Sequence, residues 1–228
     1  MFYYDETMLL VLLGILLTGL ASASMNATFQ KYSKIRNSRN IAGYETAQRI
    51  LNTAGIYDVR VEAISGNLTD HYHPGQKTVS LSEPIYGQSS LSALGVAAHE
   101  CGHAIQHQNN YLPLQIRTAI VPVANIGSSL SMPIFILGLV LSIPPLLKIG
   151  IFLFSFAVLF QLVTLPVEFN ASSRALAMIR SMGLVDEQEL KGIRKVLRAA
   201  AMTYVAAAAA SALQLLRLII LSGGRNRD

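Results

Sequence analysis

The sequence predicts a mainly α-helical membrane protein carrying a small α+β domain, and three observations predict it. Of 228 residues, 52% are hydrophobic and only 14% charged, well below the roughly one-quarter charged residues of a soluble domain. The apolar residues gather into long, nearly uncharged runs. Between the first and second of these lies a hydrophilic block, residues 26–118, in which helical and alternating periodicities both occur. The same composition excludes intrinsic disorder. Eighteen Lys and Arg against 13 Asp and Glu leave a net charge of +5. In a chain this apolar they read as membrane flank charges rather than a nucleic-acid footprint. The single cysteine, Cys101, excludes an internal disulfide framework and a Cys-rich zinc module.

The first run, residues 8–25, is uncharged and just long enough to span a bilayer. Ala21, Ser22 and Ala23 have the small side chains of a signal-peptide cleavage site. Against that reading, Asp5 and Glu6 precede the run, and Lys31, Lys34, Arg36, Arg39 and Arg49 follow it. The run therefore reads as an uncleaved anchor, residues 1–25, with residue 26 onward in the cytoplasm. Between Arg117 and Glu168 the only charge is Lys148. That length suits two spans, residues 119–143 and 149–167, with Pro144, Pro145 and Lys148 marking the turn. Such a hairpin, domain 119–167, returns the chain to the face it left. The fourth run, residues 201–221, reads either as a span or as a buried helix. Its length favours a span, which makes three to four transmembrane helices and a multi-pass protein of the cell membrane. Arg217 lies near its end, where it can snorkel, whereas Arg225 and Arg227 in the tail run against the charge rule.

Within the hydrophilic block, residues 43–55 read as an amphipathic helix with Ala47, Ile50, Leu51 and Ala54 on one face. Residues 57–64 alternate like a short strand, residues 65–67 carry turn chemistry, and residues 77–81 form a second strand. That second strand serves either as an edge for an extended substrate or in core pairing. From Ser89 onward, Leu91, Leu94, Ala98 and Ile105 recur at helical spacing. A later helix, residues 186–198, opens with acidic residues and closes with basic ones, as its dipole favours.

The chemistry concentrates in His99-Glu100-Cys101-Gly102-His103. Two histidines four apart share one helical face and can reach one zinc ion, with Glu100 beside them to act on a metal-activated water. A catalytic zinc needs a third protein ligand and an open position. His107 lies too far along the helix and reads as a surface or supporting group. Five acidic residues follow the motif: Glu168, Asp186, Glu187, Glu189 and Asp228. The three at 186–189 read as helix N-terminal charges and Asp228 is the tail. Glu168, at the end of the returning hairpin leg, reads either as the third ligand on a second helix, since an uncompensated carboxylate there is costly, or as an interfacial Glu facing the headgroups. His71, Tyr204 and Arg174 are candidates to stabilise an oxyanion. His71 and His73 read either as substrate-side groups or as loop residues, and Cys101 as helix packing. The domain is thus split, with its catalytic region in residues 26–118 and a second part in 168–200, followed by the Ala-rich helix and tail of 201–228.

The stretches 68–75 (LTDHYHPG), 79–108 (ending VAAHECGHAIQHQ) and 165–176 (LPVEFNASSRAL) resemble the YugP-type prokaryotic membrane zinc metallopeptidases, also called neutral zinc metallopeptidases. More distantly the chain is similar to the HtpX and CAAX-processing membrane proteases, which also place a transmembrane hairpin between the motif and the ligand Glu. The resemblance implies a zincin-like catalytic domain, one Zn2+ held by His99, His103 and Glu168, and Glu100 as catalytic base. In the HtpX relatives an Asp follows the ligand Glu by four residues. Ser172 stands there here, so Asn170 or Ser172 is expected to orient a histidine instead.

The expected function is a membrane-bound zinc metalloendopeptidase. It would act on a peptide or membrane-protein substrate at the cytoplasmic face of the bilayer, with no nucleic-acid partner. The alternative is a non-catalytic, zinc-stabilised membrane scaffold, which needs no base beside its ligands.

Overall fold

A computed structural model describes residues 6–223. Asp5, Arg225, Arg227 and Asp228, used in the charge arguments above, lie outside the described residues. The chain is mainly helical: α1 (Met8–Ser33), α2 (Gly43–Thr53), α3 (Glu83–Tyr86), α4 (Leu91–Gln108), α5 (Leu112–Leu141), α6 (Pro144–Ser181) and α7 (Glu187–Gly223). Three short strands, β1 (Arg60–Ile64), β2 (His71–His73) and β3 (Thr78–Ser82), make one sheet. Helices α1, α5, α6 and α7 are each long and apolar enough to cross a membrane. The chain divides into two compact units, one of residues 1–22, 115–165 and 203–228, the other of 23–114 and 166–202.

The first unit is built from apolar helix segments. Along α1, Leu9, Leu12, Leu13, Ile15, Leu16 and Leu20 are exposed while Gly14 is buried, the pattern of a helix whose solvent is lipid. A Cβ on Gly14 would stand 3.2 Å from Cβ of Ala210. Small residues on both sides thus let α1 and the Ala-rich part of α7 approach closely, the usual device between membrane helices. Phe135, Leu147 and Leu218 form its small buried cluster.

Several helices run past their expected ends. The hairpin turn is only residues 142–143, with Ser142 at φ 57°. Pro144 and Pro145 start α6 rather than break it, because proline at a helix start forfeits no hydrogen bond. Helix α6 does not stop near residue 167. It continues to Ser181, and residues 186–198 and 201–221 are one helix, α7. Its start is set by a reciprocal cap, in which Asp186 Oδ1 accepts from Glu189 N and Glu189 Oε2 accepts from Asp186 N. Its expected end is overridden by Ala199, Ala200 and Ala201, the best helix formers.

The second unit holds the sheet and the main core. Buried Ala47, Ile50 and Leu51 of α2 pack with Val79 and Leu81 of β3, Leu94, Ala98 and Cys101 of α4, Ile179 of α6 and Ile193 of α7. Strand β3 is central, parallel to β1 and antiparallel to β2. The expectation that β3 serves as an edge for an extended substrate is therefore corrected. Both its sides are taken by neighbouring strands, and all five of its residues are buried. Strand β2 was not foreseen. It is pinned by Asp70, whose carboxylate accepts from Ser82 N at 2.7 Å and from Ser82 Oγ.

Buried Asn37 ties the loop after α1 to the start of α4. Its Nδ2 donates to the carbonyls of Ile41 (2.9 Å) and Ser89 (2.6 Å), and its Oδ1 accepts from Ile41 N (3.0 Å). Asn37→Ala takes this partner from the Ile41 N–H and carbonyl and leaves the Ser89 carbonyl only its bond from the Asn37 backbone N–H, at a cost of about 1–3 kcal/mol. Thermal unfolding of the detergent-purified chain should show a lower midpoint, and an unchanged midpoint would contradict this role.

Candidate metal centre

Helix α4 begins at Ser90, whose side chain accepts from Ala93 N at 3.1 Å. Its buried residues include the small Gly95, Ala97, Ala98, Gly102 and Ala104, and one of them decides how closely a neighbour can come. A Cβ on Gly102 would sit 2.5 Å from the carbonyl oxygen of Ala171 on α6. The two backbones therefore meet at a point that only glycine permits. One turn to either side of Ala171 on α6 lie Glu168 and Ala175, and Gly102 is flanked by the motif histidines.

This crossing brings His99, His103 and Glu168 together. One ligand atom from each lies within 4.8 Å of the other two. Glu168 Oε2 is 3.2 Å from His99 Nε2 and 3.7 Å from His103 Nε2. The two imidazoles, 4.7 Å apart at their centroids, stand nearly perpendicular. Glu168 is only 2% exposed, and a carboxylate so buried needs a positive partner. Two imidazole nitrogens and one carboxylate oxygen converging here are a donor set that suits zinc. Among the described residues this is the group of three such side chains able to hold a metal ion.

The far nitrogens of both rings are also held. His99 Nδ1 lies 3.1 Å from Ser172 Oγ, and His103 Nδ1 lies 3.0 Å from Gln106 Oε1. Gln106 donates through Nε2 to the Val167 carbonyl (2.8 Å) and to Asn170 Oδ1 (3.0 Å). Ser172 thus reaches a histidine directly, while Asn170 acts through Gln106, a residue that sequence reasoning missed. The available signal was its spacing of three from His103, which places both on one helical face. Burial works against a charged His103, but its hydrogen bond to Glu168 and the charges of Glu100 and Glu168 outweigh that, and its pKa is raised.

Glu100, 8% exposed, lies beside His99 on α4, and among the described residues none donates a hydrogen bond to its carboxylate. The other candidates are not members of the three-residue group. His107 Nδ1 is 2.8 Å from the Tyr72 hydroxyl. His71 Nδ1 is 2.8 Å from the Thr69 carbonyl, and His73 Nδ1 accepts from Gln76 N. Arg174 donates to Asn170 and covers the Tyr111 ring, so it is committed to its own helix and neighbour. Tyr204 belongs to the other unit. Cys101 is buried against the Ala47 carbonyl, and burial, with the Glu100 charge added, pushes its thiol pKa up.

Two outcomes follow. Gly102→Ala should destabilise the chain by about 1–3 kcal/mol through overpacking, read as a lower unfolding midpoint. Gly19→Ala, whose added methyl meets open space inside α1, should not lower that midpoint. Cys101 should resist a maleimide in the folded chain and react once the chain is unfolded, as mass spectrometry of the labelled protein can show.

A family model described as "Putative neutral zinc metallopeptidase" matches residues 7–223. The "Putative membrane protease YugP" of Bacillus subtilis (strain 168) is 49% identical over 225 residues, covering 97% of this chain and 100% of that protein. No solved structure matches the chain. With nearly its whole length matched, and two histidines and a buried glutamate gathered at one point, the chain belongs to the family of putative neutral zinc metallopeptidases.

Proposed function

We propose that the chain is a membrane-bound zinc endopeptidase with a zincin-like site, in which His99, His103 and Glu168 hold one Zn2+ and Glu100 is the general base. The observation that carries this reading is the contrast between two buried carboxylates. Glu168 is directed at both imidazoles, whereas Glu100 stands next to them and, among the described residues, accepts no hydrogen bond. A site that only held helices together would need the first and not the second.

When bound, zinc supplies Lewis acidity that polarises a carbonyl and makes a water acidic enough to lose its proton near neutral pH. The chain's own residues do the rest. Glu100 takes the proton from the attacking water and delivers it to the leaving amine. Ser172 and Gln106 hold the two imidazoles in place from behind. The substrate is an extended peptide or a membrane protein. The name of the Bacillus relative and the four apolar helices support placing the reaction in a membrane setting. The basic residues that follow the first apolar run favour the cytoplasmic face.

The test is metal content and peptide cleavage by the detergent-purified chain. Wild type and Glu100→Gln should each carry about one zinc, while Glu100→Gln should cleave at least ~100-fold more slowly. Glu168→Ala should lose both metal and activity. Equal cleavage by wild type and Glu100→Gln would sink the mechanism, and zinc bound without cleavage of any peptide would favour a scaffold.

A further inference from the structure

We propose that Gln106 is a positioning residue that holds His103 in its Nδ1–H tautomer, and that its own orientation is dictated from α6 by Val167, Asn170 and Arg174. The inference rests on the metal site proposed above and concerns how one of its ligands is prepared. Each step follows from which groups can only donate and which can only accept. Arg174 donates only, and its Nε meets the Asn170 amide at 2.7 Å, so the Asn170 atom there is the oxygen. That same oxygen lies 3.0 Å from the Gln106 amide, so the Gln106 atom facing it is the NH2 group. The backbone carbonyl of Val167, 2.8 Å from that nitrogen, imposes the same assignment independently.

With its nitrogen so placed, Gln106 turns its oxygen to His103 Nδ1 at 3.0 Å. An amide oxygen accepts only, so in the neutral imidazole Nδ1 carries the hydrogen. Nε2, the nitrogen nearest Glu168, is left with its lone pair for a metal. Gln106 is 0% exposed, so water offers neither end of the amide an alternative partner. Reversing it would break two hydrogen bonds and set its oxygen against two acceptors. Arg174 is in turn steadied over the Tyr111 ring, 5.8 Å from its centroid. His99 is held differently. Its Nδ1 faces the Ser172 hydroxyl, which rotates to donate or accept and so tolerates either tautomer.

The test uses the full chain in detergent, with zinc affinity read by chelator competition and Co2+ absorption as a second signature. Gln106→Met, which keeps the bulk and removes the amide, should weaken zinc about 10–100-fold and shift the Co2+ bands. Gln106→Glu should also weaken it, because the new carboxylate faces the Val167 and Asn170 oxygens. Adding Arg174→Met frees Asn170 to turn its NH2 toward that carboxylate. The double variant should therefore recover about tenfold over the sum of the single effects. Wild-type affinity and spectrum in Gln106→Met, or strict additivity in the double variant, would overturn the relay. A wild-type chain that takes up neither ion removes the metal reading. The relay is then decided by 15N spectra of histidine-labelled protein at alkaline pH, taken once the ring signals no longer change with pH. Nδ1-protonated His103 in wild type and a changed tautomer in Gln106→Met would sustain it, and identical spectra would end it.

Discussion

The site depends on one backbone contact, the meeting of Gly102 with the carbonyl of Ala171. Side chains at the crossing of two helices ordinarily hold the axes about 8–10 Å apart. An imidazole and a carboxylate across such a gap would meet only through long reach and loose geometry. Removing the side chain at the crossing lets the helices close until Glu168 can touch both histidines. Gly102 lies inside the H-E-x-x-H segment itself, one residue before His103. The same five residues therefore supply the chemistry and the closeness of approach that the chemistry requires.

That closeness also explains why the supporting bonds can form. Gln106 reaches the Val167 carbonyl and the Asn170 side chain in one span of its amide, and Ser172 stands under His99. Glu168 is thus bracketed by residues of its own helix that bond to the other helix. A buried carboxylate is costly when its partners can drift away. Here the histidines cannot, because each is hydrogen-bonded on its far side. Among the described residues Glu100 has no such bonds, and the difference between the two carboxylates arises from where each projects rather than from any difference in residue type.

Much of this arrangement was legible in the sequence because it is written in local spacing. His99 and His103 share a face by helical period alone, and Glu168 stands out where carboxylates are scarce. The amphipathic face of α2 was readable in the same way, with Ala47, Ile50 and Leu51 all buried. What escaped was non-local. The order β1-β3-β2 cannot be inferred from strand patterns, and so β3 was open to being read as an edge. Strand β2 has only three residues, too few to show an alternation. The lengths of α6 and α7 escaped for another reason. Polarity changes along each helix, and a polarity boundary was read as a structural one, although residues 168–181 and 187–223 contain no proline to stop them.

Gln106 shows where residue type and role part company. In sequence it is one polar residue in a helix that also carries His107 and Gln108, and its spacing of three from His103 puts it on the ligand face without saying what it bonds. Its meaning depends on having two acceptors of α6 on one side and an imidazole on the other. An amide donates at one end and accepts at the other across a single rigid plane, with no tautomer that exchanges the two ends. A carboxylate in its place would offer acceptors in both directions, and a hydroxyl could not span the distance. At this position the fold therefore selects for a group with fixed and opposite polarity at its two ends. Ser172, serving the neighbouring histidine without such a constraint, shows that support alone does not require it.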